Sequence, residues 1–301
     1  MSRRRPLDKV NTNFIIIAHV LAVIAVLYMC LVKFSWMSLG LGVFYAWICT
    51  LSISAGYHRL FSHPTYSAHG ILRALYLFFG AASIQNSALK WSADHRVHHS
   101  QVDKKEDPYN IRKGFWWAHI GWVLHASPEH DLANVPDLKK DRLVMWQHDN
   151  YLLCAILSSA VLPLLLGFLW GDPIGALLIA GFLRIVINFH TTFSINSVAH
   201  LIGRRPYSLA NSARDSFITA FVTMGEGYHN FHHRFANDYR NGVRWFHFDP
   251  TKWWVWSWSK VGLTWDLKRA SREAILAARE KVNEEVKAIK ELKKLNAASA
   301  S

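Results

Sequence analysis

Two stretches of the chain, roughly 13–57 and 151–195, run almost free of charge, while 91–150 and 200–301 are polar and rich in Lys, Arg, His and Trp. The first stretch opens with NFIIIAHVLAVIAVLYMCLV (13–32), close to the roughly 20 apolar residues that carry a helix across a ~30 Å hydrocarbon core. A second apolar run, 34–57, follows after the single Lys33, so the two predict a tight helical hairpin. The runs 151–170 and 174–195, joined by Gly171, Asp172 and Pro173, predict a second hairpin. The first run is too long for a signal peptide and lacks a small-residue cleavage site, which makes it a retained span.

Residues 69–89 form a shorter apolar stretch interrupted by Arg73. Were it to cross the membrane, histidines on its two sides would face opposite compartments. An interfacial or partly embedded helix is expected instead. Segment 268–295 has apolar residues at helical spacing amid dense charge and predicts a surface helix. WWVWSW (253–258), beside Lys252 and Lys260, suits an aromatic belt at the headgroup level. The expectation is therefore an all-α membrane protein of four transmembrane helices in two hairpins. An integral-membrane unit over 1–268 has cytoplasmic parts at 58–150 and 196–268, and a charged helix and tail follow at 269–301.

Charge sets the orientation. Arg3, Arg4, Arg5 and Lys9 precede the first span, and the segments after spans 2 and 4 hold nearly all other positive charge. By the positive-inside rule both termini and both large segments are cytoplasmic. The net charge of +13 also suits an anionic lipid face or an acidic protein partner. No nucleic-acid module accompanies it, so nucleic acid is not an expected partner. Cys30, Cys49 and Cys154 lie in apolar runs without C-x-x-C spacing and read as small buried hydrophobes. Arg184, inside span 4, is costly in hydrocarbon and is expected to face the bundle and pair.

The candidate chemistry lies in histidine. Of 17 histidines, eight fall in three short boxes: HRLFSH (His58, His63), HRVHH (His95, His98, His99) and HNFHH (His229, His232, His233). On a helix His95 and His99, or His229 and His233, share a face, with the central histidine about 100° away. Each triple can thus serve two adjacent metals. His58 and His63 stand about 140° apart on a regular helix. That box is expected where a helix ends, and Pro64 fits such an ending. Eight imidazoles suit Fe, Cu, Zn or Ni rather than Ca or Mg. A four-ligand structural zinc would leave half of them unused, and no H-E-x-x-H helix marks a zinc protease. A hydrogen-bonded histidine cluster without metal is the competing reading.

GYHRLFSH, DHRVHH and GEGYHNFHH, with NSVAHL (196–201), DPYN (107–110), HIGW (119–122) and RPY (205–207), resemble the membrane fatty-acid desaturases of the stearoyl-CoA (delta-9) type. The resemblance implies a cytoplasmic site for two Fe ions held by nine histidines, and oxygen-dependent insertion of a cis double bond into a saturated acyl chain. It adds His200 as the ninth ligand. It places His58, His63, His95, His99 and His232 on one iron, and His98, His200, His229 and His233 on the other. Asn196 would reach the second iron through a water, and Asn86 and Asp94 match positions near the substrate entrance. Where relatives acting on acyl-CoA carry basic residues, this chain has Ala93, Ala126 and Ser127, so a CoA thioester, a lipid-linked chain and a carrier-linked chain all stay open. The sequence has no H-P-G-G motif of a fused cytochrome b5 domain. A separate electron donor such as ferredoxin or cytochrome b5 is therefore expected. Other readings are a membrane di-iron acyl or alkane hydroxylase and a non-catalytic membrane metal transporter or sensor. His19 and His190, within spans, are expected to hydrogen-bond in packing.

Overall fold

The computed structural model describes residues 5–126 and 132–299. Among the described residues, four helices are long and apolar enough to cross a membrane: α1 (Lys9–Leu31), α2 (Trp36–Ser62), and, further on, Tyr151–Phe168 and Pro173–Leu201. Between the pairs lie α3 (Gly70–Ala82) and α4 (Ala88–Gln101). The second pair is therefore α5 (Tyr151–Phe168) and α6 (Pro173–Leu201). It is followed by α7 (Phe217–Val222), α8 (His229–Arg234), α9 (Pro250–Ser259) and α10 (Arg272–Ala298). The shortest span, α5, has 18 residues. At about 1.5 Å per residue it is about 27 Å long, enough for the hydrocarbon core. The outer faces of the spans keep large apolar side chains exposed, among them Val20, Val23, Val43 and Ile187. A lipid environment explains this pattern, and the protein is an integral-membrane one.

Local chemistry sets where the helices start. Asp8 accepts from the Asn11 amide at 3.0 Å to begin α1, and Ser35 from the Ser38 amide at 3.2 Å to begin α2. Ser87 and Ser271 cap α4 and α10 in the same way. The two hairpin turns are tied together. Buried Asp172 accepts from Tyr28 Oη (2.8 Å), Ser38 Oγ (2.5 Å) and the Gly175 amide (3.2 Å), while Lys33 donates to the Gly171 carbonyl at 2.7 Å.

Several boundaries differ from the sequence reading. Both α2 and α6 run beyond the predicted ends at 57 and 195, to Ser62 and Leu201. The reason in α2 is a π-helical segment, Ser52–Ser62, every residue of which is buried. The first histidine box therefore straddles the end of a helix, as expected, with His58 inside its last turns and His63 as its cap. In the wider i→i+5 turn, closed here by the His63 amide on the His58 carbonyl at 3.1 Å, residues five apart come close to one face. The 140° separation of a regular helix does not apply.

With 13 residues, α3 is too short to span; it packs Leu72, Tyr76 and Leu77 into the same core as Tyr57, Phe61 and Leu89. Gly80 makes this close approach possible, since any Cβ there would meet the Tyr57 ring. Cys49 and Cys154 are buried as expected, but Cys30 is exposed, because it lies on the outward face of α1. Arg184 is buried and faces the bundle. Its partners, however, are carbonyls and a ring rather than a carboxylate: Nε reaches Ala180 O and Nη1 reaches Ala82 O, both at 2.6 Å, over the ring of Tyr45. A two-stranded antiparallel pair, Ser67–Ala68 with Thr264–Trp265, clips the chain after α9 to the turn after α2.

Candidate metal centre

Four elements deliver the nine histidines to one end of the spans. The end of α2 brings His58 and His63, α4 brings His95, His98 and His99, the end of α6 brings His200, and α8 brings His229, His232 and His233. They gather into two groups, within each of which the candidate ligand atoms lie within 4.8 Å of one another. One group is His58, His63, His95, His99 and His232; the other is His98, His200, His229 and His233. Each helix triple is split between the groups, as its 3.6-residue period requires. The groups adjoin: the rings of His99 and His233 stack 4.3 Å apart at 13°.

The separations within a group are those of a ligand shell. His232 Nε2 lies 2.9 Å from both His58 Nε2 and His99 Nε2, His63 Nε2 lies 2.9 Å from His95 Nε2, and His229 and His233 face each other at 3.0 Å. Imidazole nitrogens about 2.1 Å from a shared metal and at right angles would stand about 3.0 Å apart. One ring nitrogen cannot donate a hydrogen bond to two others at once, so a metal-free hydrogen-bonded cluster explains these contacts poorly. Moreover, His98 Nε2 and His200 Nε2 are buried with no protein partner among the described residues. Burial pushes His63, His95, His99, His229, His232 and His233 well below the ordinary imidazole range, which keeps their lone pairs free. All-nitrogen sets of this kind fit a transition metal.

Acidic side chains that the sequence reading did not single out stand behind these rings. His58 Nδ1 lies 2.9 Å from Glu226 Oε2, and His98 Nδ1 lies 2.8 Å from Asp107 Oδ1. His200 Nδ1 lies 2.7 Å from Ser212 Oγ. Each contact places the proton on Nδ1 and turns Nε2 toward the centre of its group. Burial alone would raise the Glu226 and Asp107 carboxyls. His58 and Arg59 instead hold Glu226 well below the carboxylate range, and His98, with the Asp103 and Tyr109 amides, lowers Asp107. The signals were in the quoted motifs: Glu226 in GEGYHNFHH and Asp107 in DPYN.

A cavity of about 770 Å³ runs against the metal centre. Its wall includes His58, His95, His98 and His229, from both groups, together with apolar Phe14, Ile15, Ile53, Phe189 and Phe193. Asn86, Asp94 and Asn196 line it as well, as does Ala126. Ala93 does not: it is buried on the inner face of α4 with 1 % of its surface exposed. Ser127 lies outside the described residues. His19 and His190 do hydrogen-bond, Nε2 to Nε2 at 3.1 Å, and His190 continues to His119 at 3.0 Å. His119 in turn reaches Ser197 Oγ at 2.9 Å. His190 uses its two nitrogens on opposite neighbours, so this is a chain between elements and not a chelate.

The sequence profile of fatty acid desaturases matches residues 34–265, which covers all nine histidines and the cavity wall apart from the part contributed by the start of α1. The chain belongs to the fatty acid desaturase family. It is 46% identical over 236 residues to acyl-CoA desaturase 1 of Saccharomyces cerevisiae, covering 77% of this chain and 46% of that protein. Stearoyl-CoA desaturase 4 of Mus musculus is 35% identical over 275 residues, 89% of this chain and 77% of the relative. Stearoyl-CoA desaturase of Homo sapiens is 35% identical over 243 residues, 78% and 68% of the two chains. The chain spans about half the length of acyl-CoA desaturase 1 of Saccharomyces cerevisiae and of the probable acyl-CoA desaturase of Schizosaccharomyces pombe. Membership in this family and the geometry of the histidine groups converge on one end of the molecule.

Proposed function

We propose that the chain is an oxygen-dependent fatty acyl desaturase that inserts a cis double bond, at the delta-9 position, into a saturated acyl chain carried as its CoA thioester. The observation that carries this reading is the cavity: one apolar passage has histidines of both metal groups in its wall. Relatives named acyl-CoA and stearoyl-CoA desaturases support the substrate class. The overall reaction takes one –CH₂–CH₂– unit, O₂, two electrons and two protons to a cis alkene and two waters. Two bound iron ions would supply the oxygen-dependent redox chemistry that no side-chain acid or base can perform on an unactivated methylene.

The protein's part is placement. His58, His63, His95, His99 and His232 would hold one iron, and His98, His200, His229 and His233 the other, with Asn196 reaching the second through a water. Phe14, Ile15, Ile53, Phe189 and Phe193 enclose the alkyl chain and exclude water. Trp91, stacked on His95 with ring centres 4.9 Å apart, closes the wall beside the first group. Asn86 and Asp94, on the same cavity, would hold the carrier end and so fix which carbons stand at the irons. The start of α1, the ends of α2 and α6 and the histidine groups lie on one side of the spans. We take that side as cytoplasmic, where a separate donor, ferredoxin or cytochrome b5, would deliver electrons. Residues 1–268 then form the integral-membrane unit and 269–301 an appended charged helix and tail.

Expression in a host lacking its own desaturase, followed by fatty-acid analysis of separated thioester and lipid pools, tests the reading. Cis monoenoic chains appearing first among the thioesters are expected. Alcohols without alkene, or unchanged saturated chains with the protein folded and iron-loaded, would overturn it. First appearance in the lipid pool would overturn the CoA carrier alone.

A further inference from the structure

We propose that the two metal groups are held by two separate acidic clamps, each setting metal affinity at its own group: Glu226 for the five-histidine group, and the Asp103–Asp107 loop, acting directly on His98 and through Ser212 on His200, for the four-histidine group. The inference rests on the dimetal reading above. Glu226, Asp103, Asp107 and Ser212 are positioning residues in it, not ligands.

The first clamp is saturated. Glu226, 3 % exposed, accepts from His58 Nδ1 (2.9 Å) and Asn241 Nδ2 (2.6 Å) on Oε2. On Oε1 it accepts from Arg59 Nη2 (2.8 Å), Arg59 Nε (3.2 Å) and Ser54 Oγ. Arg59 is itself anchored on Asp249 Oδ1 at 3.0 Å and the Tyr239 carbonyl at 2.8 Å. The π-helical turn makes this possible by setting His58 and Arg59 side by side, one ring toward the metal group and one guanidinium toward the carboxylates. With every lone-pair direction taken and its charge matched by Arg59, Glu226 cannot swing, and the His58 ring cannot turn without breaking it.

The second clamp is one short loop holding ligands from two different helices. Asp107, 1 % exposed, accepts from His98 Nδ1 (2.8 Å) and the Tyr109 amide (3.0 Å) on Oδ1, and from the Asp103 amide (3.0 Å) on Oδ2. Asp103 sits at φ 63°, a left-handed conformation that only a few non-glycine residues adopt and that aspartate tolerates better than most. That turn points its amide at Asp107 and frees its carboxylate for Ser212. Oδ2 accepts the Ser212 amide at 2.7 Å and Oδ1 accepts Ser212 Oγ at 2.5 Å. Having given its hydrogen to Asp103, Ser212 Oγ must accept from His200 Nδ1 at 2.7 Å. His98 on α4 and His200 at the end of α6 therefore both present Nε2 to the second group because of this loop. No hydrogen bond joins the two clamps among the described residues.

The test is iron retention by the full-length protein in detergent, dialysed against graded chelator, read as metal per chain, with ⁵⁷Fe Mössbauer spectra to separate the two sites. Ser212→Ala keeps the amide bond to Asp103 and removes only the hydroxyl. It is expected to weaken iron binding at the four-histidine group about 10- to 100-fold, so that one iron leaves early and one is retained. Ser212→Thr, which restores a hydroxyl, is expected to recover retention. Glu226→Gln is expected to release the other iron, with the other Mössbauer signal. Variants that lose both irons together, or retain both like the parent, would overturn the inference. So would a lowered apo-protein melting temperature with unchanged retention, because that is a purely structural role. If Glu226→Gln fails to fold, the Ser212 pair still decides. A parent protein that never binds two irons would instead overturn the dimetal reading.

Discussion

Asp215 holds the start of α8, the helix that carries three of the nine histidines: its Oδ1 accepts from the Asn230 amide at 2.8 Å and the Phe231 amide at 3.0 Å. Burial pushes this carboxyl up to about 7, against the pull of those two amides. The sign follows from linkage. An acid whose folded value lies above its unfolded value near 4 binds its proton more tightly in the folded state. Its contribution to stability is then greatest below about pH 4 and is lost as pH rises to about 7. Asp215→Asn, which cannot ionise, is expected to flatten that slope. The measurement is the melting temperature of parent and variant from pH 5 to 8; a difference that stays constant across the range would refute the assignment. Six of the nine histidines could be read from spacing because HRVHH and HNFHH keep the 3.6-residue period of a helix; His58 and His63, five apart, were legible as a box, and His200 came from the resemblance alone. Glu226 and Asp107 stood inside the quoted motifs and Asp103 outside them, but the role of none could be read there, since one acid in a chain with 21 Asp and Glu carries no period and shows its role only when the fold brings it behind a ring.

At the level of elements, the four spans and both tight turns were legible from hydropathy alone, because a helix in lipid must satisfy its backbone internally and stay apolar for its whole length. The π-helical turn over 52–62 was not. Its wider period is imposed by packing against α3 and α4 and by the histidine that must point inward, neither of which leaves a local signature in SISAGYHRLFS. Asp172 illustrates the intermediate case: its place in a turn was visible, but not its partners. It joins α1 and α2 to the start of α6 through Tyr28, Ser38 and the Gly175 amide, and Trp170 Nε1 adds a bond to Ser38 Oγ at 2.9 Å. Asp172→Ala would strand the buried Ser38 hydroxyl and Gly175 amide, each costing about 1–3 kcal/mol without a partner, and would leave the half-buried Tyr28 hydroxyl to water. The variant is expected to melt several degrees lower in detergent while retaining its full iron content, since the tie lies at the far end of the spans from the histidines. An unchanged melting temperature, or loss of iron, would contradict this.

For the whole molecule, the excess of 34 Lys and Arg over 21 Asp and Glu sits almost entirely outside the spans. Exposed Arg204 and Arg234 stand next to the last two histidine-bearing segments in sequence, His200 and HNFHH. A surface of one sign attracts a partner of the other and raises encounter rates more than it raises affinity. On the function proposed above, an acidic electron carrier is expected to reduce the centre at a rate that falls steeply with ionic strength, because the Debye length shrinks from about 30 Å at 0.01 M to about 10 Å at 0.1 M. A small uncharged chemical reductant meets no such field and is expected to show little salt dependence over the same range. Stopped-flow reduction of the iron-loaded protein by each reductant, across that range, separates the two behaviours. Equal salt dependence for both would mean that salt acts on the protein itself. No dependence for either would mean that the positive charge orients the chain in its membrane and does not recruit the donor.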